Sequence, residues 1–125
     1  MNVDNKNIIF ALLLGLPIIN SAAQSAIYID ATPTTINIHQ GKEAQGVVLT
    51  NYDSIDALGL KVNIPQNSAI TLDKTTTTCT CTLPANSRCL YSFSAGNKIE
   101  STFITINGAN MNPITITANV VPPNS

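Results

Sequence analysis

Charged residues are scarce in this chain of 125 residues: they make up 10% of it, with six basic and seven acidic side chains. A nucleic-acid partner is not expected, because the chain offers no basic stripe to neutralise phosphates. Aromatic residues amount to 5%, with one histidine and no tryptophan, which argues against most metal and redox chemistries. The 44% hydrophobic content nevertheless exceeds what a disordered chain contains.

Sequence motifs that carry catalysis are missing as well. The chain has no GxGxxG, no phosphate-binding loop and no GxSxG elbow, and His39 stands at a predicted strand end. A blue-copper site needs two histidines, and a calcium loop needs more carboxylates than Asp53 and Asp56 supply. We therefore expect no cofactor and no enzyme. The alternative is a hydrolase or redox enzyme with a cryptic site at His39 or Cys81.

The sequence does contain a leader-like segment at its start. Residues 8–19 form an uncharged apolar run of twelve residues. This run is too short to cross a bilayer, which needs about 20 residues, but it suits the hydrophobic region of a signal peptide. We expect a signal peptide over residues 1–23, cleavage after Ala23, and a mature domain over residues 24–125 without a transmembrane segment. Export to the periplasm, cell surface or medium also permits disulfides.

The remaining sequence favours β-strands, because it is rich in threonine, isoleucine and valine. The clearest alternation runs over residues 57–64, where Leu58, Leu60, Val62 and Ile64 share one face. The predicted strands cover residues 26–30, 35–39, 44–51, 57–64, 69–72, 90–93, 99–106 and 114–121. Such spacing predicts an all-β fold, namely an immunoglobulin-like β-sandwich of seven to eight short antiparallel strands.

Two connections in this pattern carry predictions of their own. Residues 107–113 are expected to join the last two strands, so that Pro113 stands at a strand start, where it removes no central ladder donor. The threonine run over residues 75–78 is expected to be a loop or an edge segment.

The three cysteines, Cys79, Cys81 and Cys89, lie within eleven residues. In an exported chain this number indicates one disulfide and one leftover thiol, and the spacing leaves the pairing open. A zinc site would need a fourth ligand, and His39 is forty residues from the nearest cysteine. No metal site is therefore expected.

The cysteine segment also resembles a known motif. Cys79 is followed by Leu83, a small-residue turn, Cys89 and an alternating stretch that ends in Phe93. This order is similar to bacterial exported immunoglobulin-like domains of the ASPM–SPD-2–Hydin type. The resemblance implies a Cys79–Cys89 disulfide. Because that family usually has a small residue where this chain has Cys81, a Cys81–Cys89 bridge is the other pairing.

The resemblance spans about residues 31–120 and points to a fold more than to an activity. We expect a non-enzymatic binding or adhesion module of the bacterial envelope or secreted fraction. Its partner would be a protein or an envelope component, bound through loops or a sheet edge, with residues 26–30 and 114–121 as the candidate edges. A structural subunit of a surface or fimbrial assembly is the alternative, and an unpaired Cys81 would be either an inert thiol or the link of a disulfide-bonded dimer.

Overall fold

The computed structural model describes residues 26–123. The predicted signal peptide over residues 1–23 lies outside this range and stays a prediction. Ten strands and no helix occur in the described range. In chain order they are β1 (Ile29–Thr32), β2 (Thr35–His39), β3 (Gln45–Asn51), β4 (Ala57–Leu58), β5 (Lys61–Asn63), β6 (Ile70–Leu72), β7 (Thr82–Leu83), β8 (Arg88–Ala95), β9 (Glu100–Gly108) and β10 (Met111–Val121).

The strands form two four-stranded sheets and one small ladder. One sheet has the order β1-β3-β8-β6, the other has the order β2-β10-β9-β5, and β4 pairs with β7 separately. All pairs are antiparallel except β2 with β10. This partition of strands between two facing sheets is that of an immunoglobulin-like sandwich. The predicted fold class is therefore confirmed, but the described residues form ten strands rather than seven to eight, and one pair is parallel.

Alternating side chains of both sheets fill the space between them. Val47, Leu49 and Phe93 come from the first sheet, and Ile104 and Ile116 come from the second; all five are fully buried. β-Branched and aromatic residues are favoured at such positions, because they pack well on a pleated surface. The period-two pattern read from the sequence is the pattern that forms this core.

β1 and β2 follow each other in the chain but belong to different sheets. β1 pairs with β3, and β2 pairs with β10 in the opposite sheet. Pro33 lies between them and has no N–H to donate to a ladder. The interruption at Pro33 is therefore the point at which the chain crosses from one sheet to the other.

One predicted edge strand is present and the other is wrong. β1, which overlaps the predicted edge 26–30, is an edge strand that pairs with β3 alone. Residues 114–121 belong instead to β10, which lies between β2 and β9. The pairing with β2 begins only at Thr117, and Met111 forms an isolated parallel bridge with Ile27, so residues 112–116 of β10 have no described strand partner on that side.

The predicted strand over residues 57–64 is divided in two. Gly59 adopts a left-handed φ of 66°, which favours glycine because other residues carry a Cβ that crowds the backbone there. The alternation of buried and exposed side chains therefore holds from Leu60 onward but fails at Leu58, which is exposed.

The expected connection over residues 107–113 is shorter in the structure. β9 extends to Gly108 and β10 starts at Met111, so that only Ala109 and Asn110 form the turn. Pro113 consequently lies inside β10 rather than at a strand start. It is tolerated there, because the register between β9 and β10 shifts between Ile106 and Gly108, which leaves Pro113 without a partner in that ladder.

The threonine run forms an edge segment beside β8. The Thr77 hydroxyl accepts the Ser92 N–H at 2.9 Å, and the Thr78 hydroxyl accepts the Leu90 N–H at 2.8 Å. Side-chain oxygens thus take the place of strand carbonyls at this edge. The segment satisfies part of the open side of β8 without being a strand.

Candidate functional site

One end of the sandwich exposes most of the large apolar side chains. Six such side chains are exposed in the described range, and four of them, Tyr28, Tyr52, Ile55 and Leu58, lie at the end where β1 begins and β3 finishes. We call this end, formed by residues 27–28, 52–58, 84–87 and 109–110, the tyrosine end. A concentration of exposed apolar surface among polar residues is typical of an interaction site.

A cleft opens in the tyrosine end between two aromatic rings. Tyr28 and Tyr52, which are 66% and 67% exposed, line it together with Asp53, Ser54 and Asn86. Its volume is about 420 Å³. The lining resembles an antibody paratope in composition, where tyrosine supplies rigid contact area and serine and asparagine supply adaptable hydrogen bonds.

A single buried side chain holds the loop that carries Tyr52. Asn51 is 0% exposed, and its amide nitrogen donates to the carbonyl oxygens of Ile55 at 2.9 Å and Leu83 at 3.1 Å. Its side-chain oxygen accepts the Asp53 N–H at 2.9 Å. Three backbone groups of the loops thus depend on Asn51, which satisfies polar atoms that burial would otherwise penalise.

Further hydrogen bonds join this loop to its neighbours. The Asp56 carboxylate accepts the Ala85 N–H at 2.9 Å. Asn110 donates from its amide to the Asp56 carbonyl at 2.9 Å and accepts the Leu58 N–H at 3.0 Å. The loops from both sheets are therefore fixed relative to one another. Such preorganisation lowers the entropy lost on binding.

Sequence reasoning identified this region only in part. From the sequence, Asp53 and Asp56 are too few carboxylates for a calcium loop, and in the structure both accept backbone N–H groups instead. The described residues contain no group of three or more metal-ligating side chains. The tyrosines were not predicted as site residues. A signal was present, because Tyr52, Asp53 and Ser54 follow a strand directly and have the composition of a binding loop.

The cysteines lie on the flank of the tyrosine end. Cys79 and Cys89 form a disulfide with a Cα–Cα distance of 4.9 Å, which is the pair that the resemblance implies. Both are partly buried against the core, whereas Cys81 is free and exposed. The Cys81 carbonyl accepts the Leu60 N–H at 2.9 Å, so the backbone at Cys81 is held in place.

His39 lies at the opposite end of the sandwich from the tyrosine end. Its Nδ1 is 3.0 Å from the Pro122 carbonyl oxygen. Because a carbonyl only accepts, this contact requires the proton on Nδ1. His39 therefore ties the end of β2 to the chain after β10, and the structure does not bring it together with Cys81.

A second groove runs between the two sheets along β1. It has a volume of about 320 Å³, and residues 27–31 with Thr34 form one side while residues 112–114 form the other. It opens where the first part of β10 has no β2 partner. The groove therefore lies beside the edge strand predicted from the sequence.

Comparison with known proteins reveals similarity in fold. No protein-family model matches the chain, and no curated protein matches it in sequence. Domains 4 and 5 of the S-layer protein SbsC are similar at a TM-score of 0.59 and 13% identity, with 86% of this chain and 55% of that chain covered. The Escherichia coli chaperone DraB is similar at a TM-score of 0.55 and 10% identity, with 78% and 56% covered.

A third similar structure is the secreted serine protease VesC from Vibrio cholerae, at a TM-score of 0.51 and 14% identity. It aligns with 79% of this chain but only 23% of its own length. The chain thus spans little more than half the length of the first two structures and a quarter of the third. At identities of 10–14%, these likenesses concern the fold alone, a β-sandwich of the immunoglobulin-like kind. Separately, the described residues include no helix of the length and hydropathy needed to span a membrane.

Proposed function

We propose that the chain is a non-enzymatic, exported binding module of the bacterial envelope or secreted fraction, and that it binds a protein partner through the tyrosine end. One observation carries the proposal: two exposed tyrosines flank a cleft whose loops are fixed by the buried Asn51. Tyrosine is enriched among residues that dominate binding energy at interfaces. Rigid loops with exposed aromatic side chains are therefore suited to recognition.

Export and the finer family assignment belong to this proposal. The leader-like run over residues 8–19 supports export, as does the Cys79–Cys89 disulfide, because disulfides persist in oxidising compartments. The similar structures include an S-layer protein and a secreted protease, which is compatible with export. Membership of the ASPM–SPD-2–Hydin type is supported only by the sequence resemblance, which includes the cysteine motif.

The test is binding of the purified, processed chain to isolated bacterial envelopes and to host-cell and extracellular-matrix surfaces. We expect saturable binding to one of them. A Tyr28→Ala/Tyr52→Ala variant should lose at least about tenfold in affinity, since interface tyrosines are common hot spots. Phe103→Ala is the matched control, because Phe103 is 64% exposed but lies in β9, outside the tyrosine end.

The two variants distinguish binding at the tyrosine end from binding at the sheet face that carries Phe103. Retained binding by the tyrosine variant with loss in Phe103→Ala would move the site to the face of the β10–β9 sheet. Binding to none of the surfaces by the folded wild-type chain would overturn the proposal.

A structural subunit of a surface assembly is the second candidate. The groove between β1 and β10 favours it, because an edge strand beside an incompletely paired strand accepts an added strand. Similarity to S-layer domains adds support. Native mass measurement of the protein extracted from its own cells decides: ordered multimers support assembly, and monomers alone contradict it. Repeating the measurement with reductant shows whether Cys81 links two copies.

A further inference from the structure

We propose that the cleft between Tyr28 and Tyr52 binds a positively charged side chain of the protein partner, with arginine preferred over lysine. This inference rests on the proposed binding function and specifies the chemistry that the cleft selects. The residues that line the cleft supply aromatic rings and a carboxylate, but no basic group.

The aromatic rings provide the first part of the recognition. Tyr28 and Tyr52 stand at the ends of the neighbouring strands β1 and β3, whose register pairs Ile29 with Asn51. Tyr28 directly precedes this pair and Tyr52 directly follows it, and both residues line the cleft. A cation within about 6 Å of a tyrosine ring centroid is attracted to the negative face of the ring. A side chain that enters the cleft therefore meets a lining that includes two tyrosines.

The carboxylate of Asp53 provides the second part. Oδ1 of Asp53 accepts the Ser54 N–H at 2.7 Å, which orients the carboxylate, and the described residues make no hydrogen bond to its Oδ2. No basic side chain lines the cleft. An anionic ligand would therefore be repelled by Asp53, whereas a cationic ligand would neutralise it.

Arginine suits this combination better than lysine. A guanidinium group is planar, so that it stacks on a tyrosine ring while its N–H groups donate to a carboxylate. A lysine ammonium is more strongly hydrated and behaves as a point charge. The cleft volume of about 420 Å³ also leaves room for the chain that bears the arginine.

The experiment is a nuclear magnetic resonance titration of the processed, ¹⁵N-labelled chain with N-acetyl-arginine-N-methylamide. Blocked citrulline is the neutral probe of the same shape, and blocked lysine is the second cation. We expect saturable shifts of the amides of residues 52–54 and 86. Affinity should be at least about fivefold weaker for citrulline and about twofold weaker for lysine, since the charged, planar group makes the stronger contacts.

Variants locate the effect within the cleft. Asp53→Asn keeps the Oδ1 that accepts the Ser54 N–H, so the loop should stay folded while arginine affinity falls about fivefold. Glu43→Gln is the matched control at the other end of the sandwich and should have no effect. Tyr52→Phe should retain binding because it keeps the ring, whereas Tyr52→Leu should weaken binding about fivefold.

Equal shifts with citrulline and arginine, no saturable shift, or full affinity in Asp53→Asn would overturn the inference. Failure of the inference is distinct from failure of the proposed function. Surface binding by the wild-type chain without arginine binding removes the inference alone. Arginine binding without binding to any surface removes the proposed function while the cation site stands.

Discussion

The loops at the two ends of the sandwich are joined by different kinds of side chain. At the tyrosine end, the loops are joined through neutral amides, chiefly the buried Asn51 and the half-exposed Asn110. At the other end, which we call the charged end, the ionised Glu100 accepts the Ala69 N–H at 2.7 Å and the Ser68 hydroxyl at 2.8 Å. Lys98 donates to the Asn67 carbonyl at 3.2 Å.

The difference lies in burial. A buried amide that bonds several backbone groups fixes their geometry, because breaking any bond leaves a polar atom without a partner. A half-exposed carboxylate such as that of Glu100 exchanges its partners with water at a lower cost. The fixed end is also the end that exposes tyrosines. Rigidity and exposed aromatic surface thus coincide, which is the arrangement that a preorganised binding site needs.

The largest expected effect comes from Asn51→Ala. The change leaves three backbone groups without their side-chain partner, and an unsatisfied buried polar group costs about 1–3 kcal/mol. We expect a loss of about 3 kcal/mol in the free energy of unfolding, measured by urea denaturation. Arginine binding at the cleft should weaken as well, because the loop that carries Tyr52 loosens.

Asn37→Ala is the matched control for this prediction. The Asn37 side-chain oxygen accepts the Asn119 amide at 3.0 Å on an exposed sheet face. Its removal should change stability by less than about 0.5 kcal/mol, as for most surface substitutions. Equal losses in the two variants would show that the buried amide has no special role.

A somewhat smaller effect is expected for the disulfide on the flank of the tyrosine end. Replacing Cys79 and Cys89 together by alanine removes a cross-link that spans ten positions in sequence. The chain-entropy model assigns about 2.8 kcal/mol to a loop of this size. We expect that loss in urea denaturation. Cys81→Ala is the control and should leave stability nearly unchanged, because its thiol is exposed. A large loss in the control instead would indicate that Cys81 takes part in the bridge.

The smallest effect is expected at the charged end, where Glu100→Gln tests a pH dependence. Burial raises the pKa of Glu100, but hydrogen bonds from Ala69 and Ser68 and the charge of Lys98 outweigh it, so that the pKa is lowered from its usual value near 4.5. A lowered pKa in the folded state adds stability above pH 4.5 that is lost as the pH falls through the folded-state pKa. Solvent screening keeps the contribution below about 1 kcal/mol.

Denaturation midpoints of wild type and Glu100→Gln should therefore differ at pH 7 and converge at low pH. Asp73 also has a pKa lowered by hydrogen bonds from Thr75 and Thr76, so the Glu100→Gln variant will keep some acid sensitivity. Midpoints that differ by the same amount at every pH would show that ionisation of Glu100 is irrelevant.

The sequence predicted the fold because the core depends on a local pattern. Residues 35–39 alternate from Thr35 to His39, and this alternation alone places Ile36 and Ile38 in the core. The division of residues 57–64 was not predicted, because it depends on the positive φ of Gly59. The alternation of apolar and polar residues contains no information about that φ. The position of β10 was missed because its pairing with β2 joins segments about 80 residues apart.

The tyrosine end could not be predicted from the sequence, because it too depends on contacts between distant segments. Asn51 and Leu83 are 32 positions apart and meet only after β4 and β7 have paired. The placement of Tyr28 and Tyr52 in one cleft likewise depends on the pairing of β1 with β3. Both are contacts between distant segments, whereas composition and spacing describe neighbours along the chain.

The hydrogen bonds that fix the tyrosine end use backbone atoms, Asn51, Asp56 and Asn110, and none of them uses the side chains of Tyr52 or Ser54. Contact residues can therefore be exchanged without dismantling their support. A library of variants randomised at positions 28, 52 and 54 should keep its fold while altering its ligand. The domain thereby offers a small, disulfide-linked scaffold for selecting new binders, with Asn51 as the residue to leave unchanged.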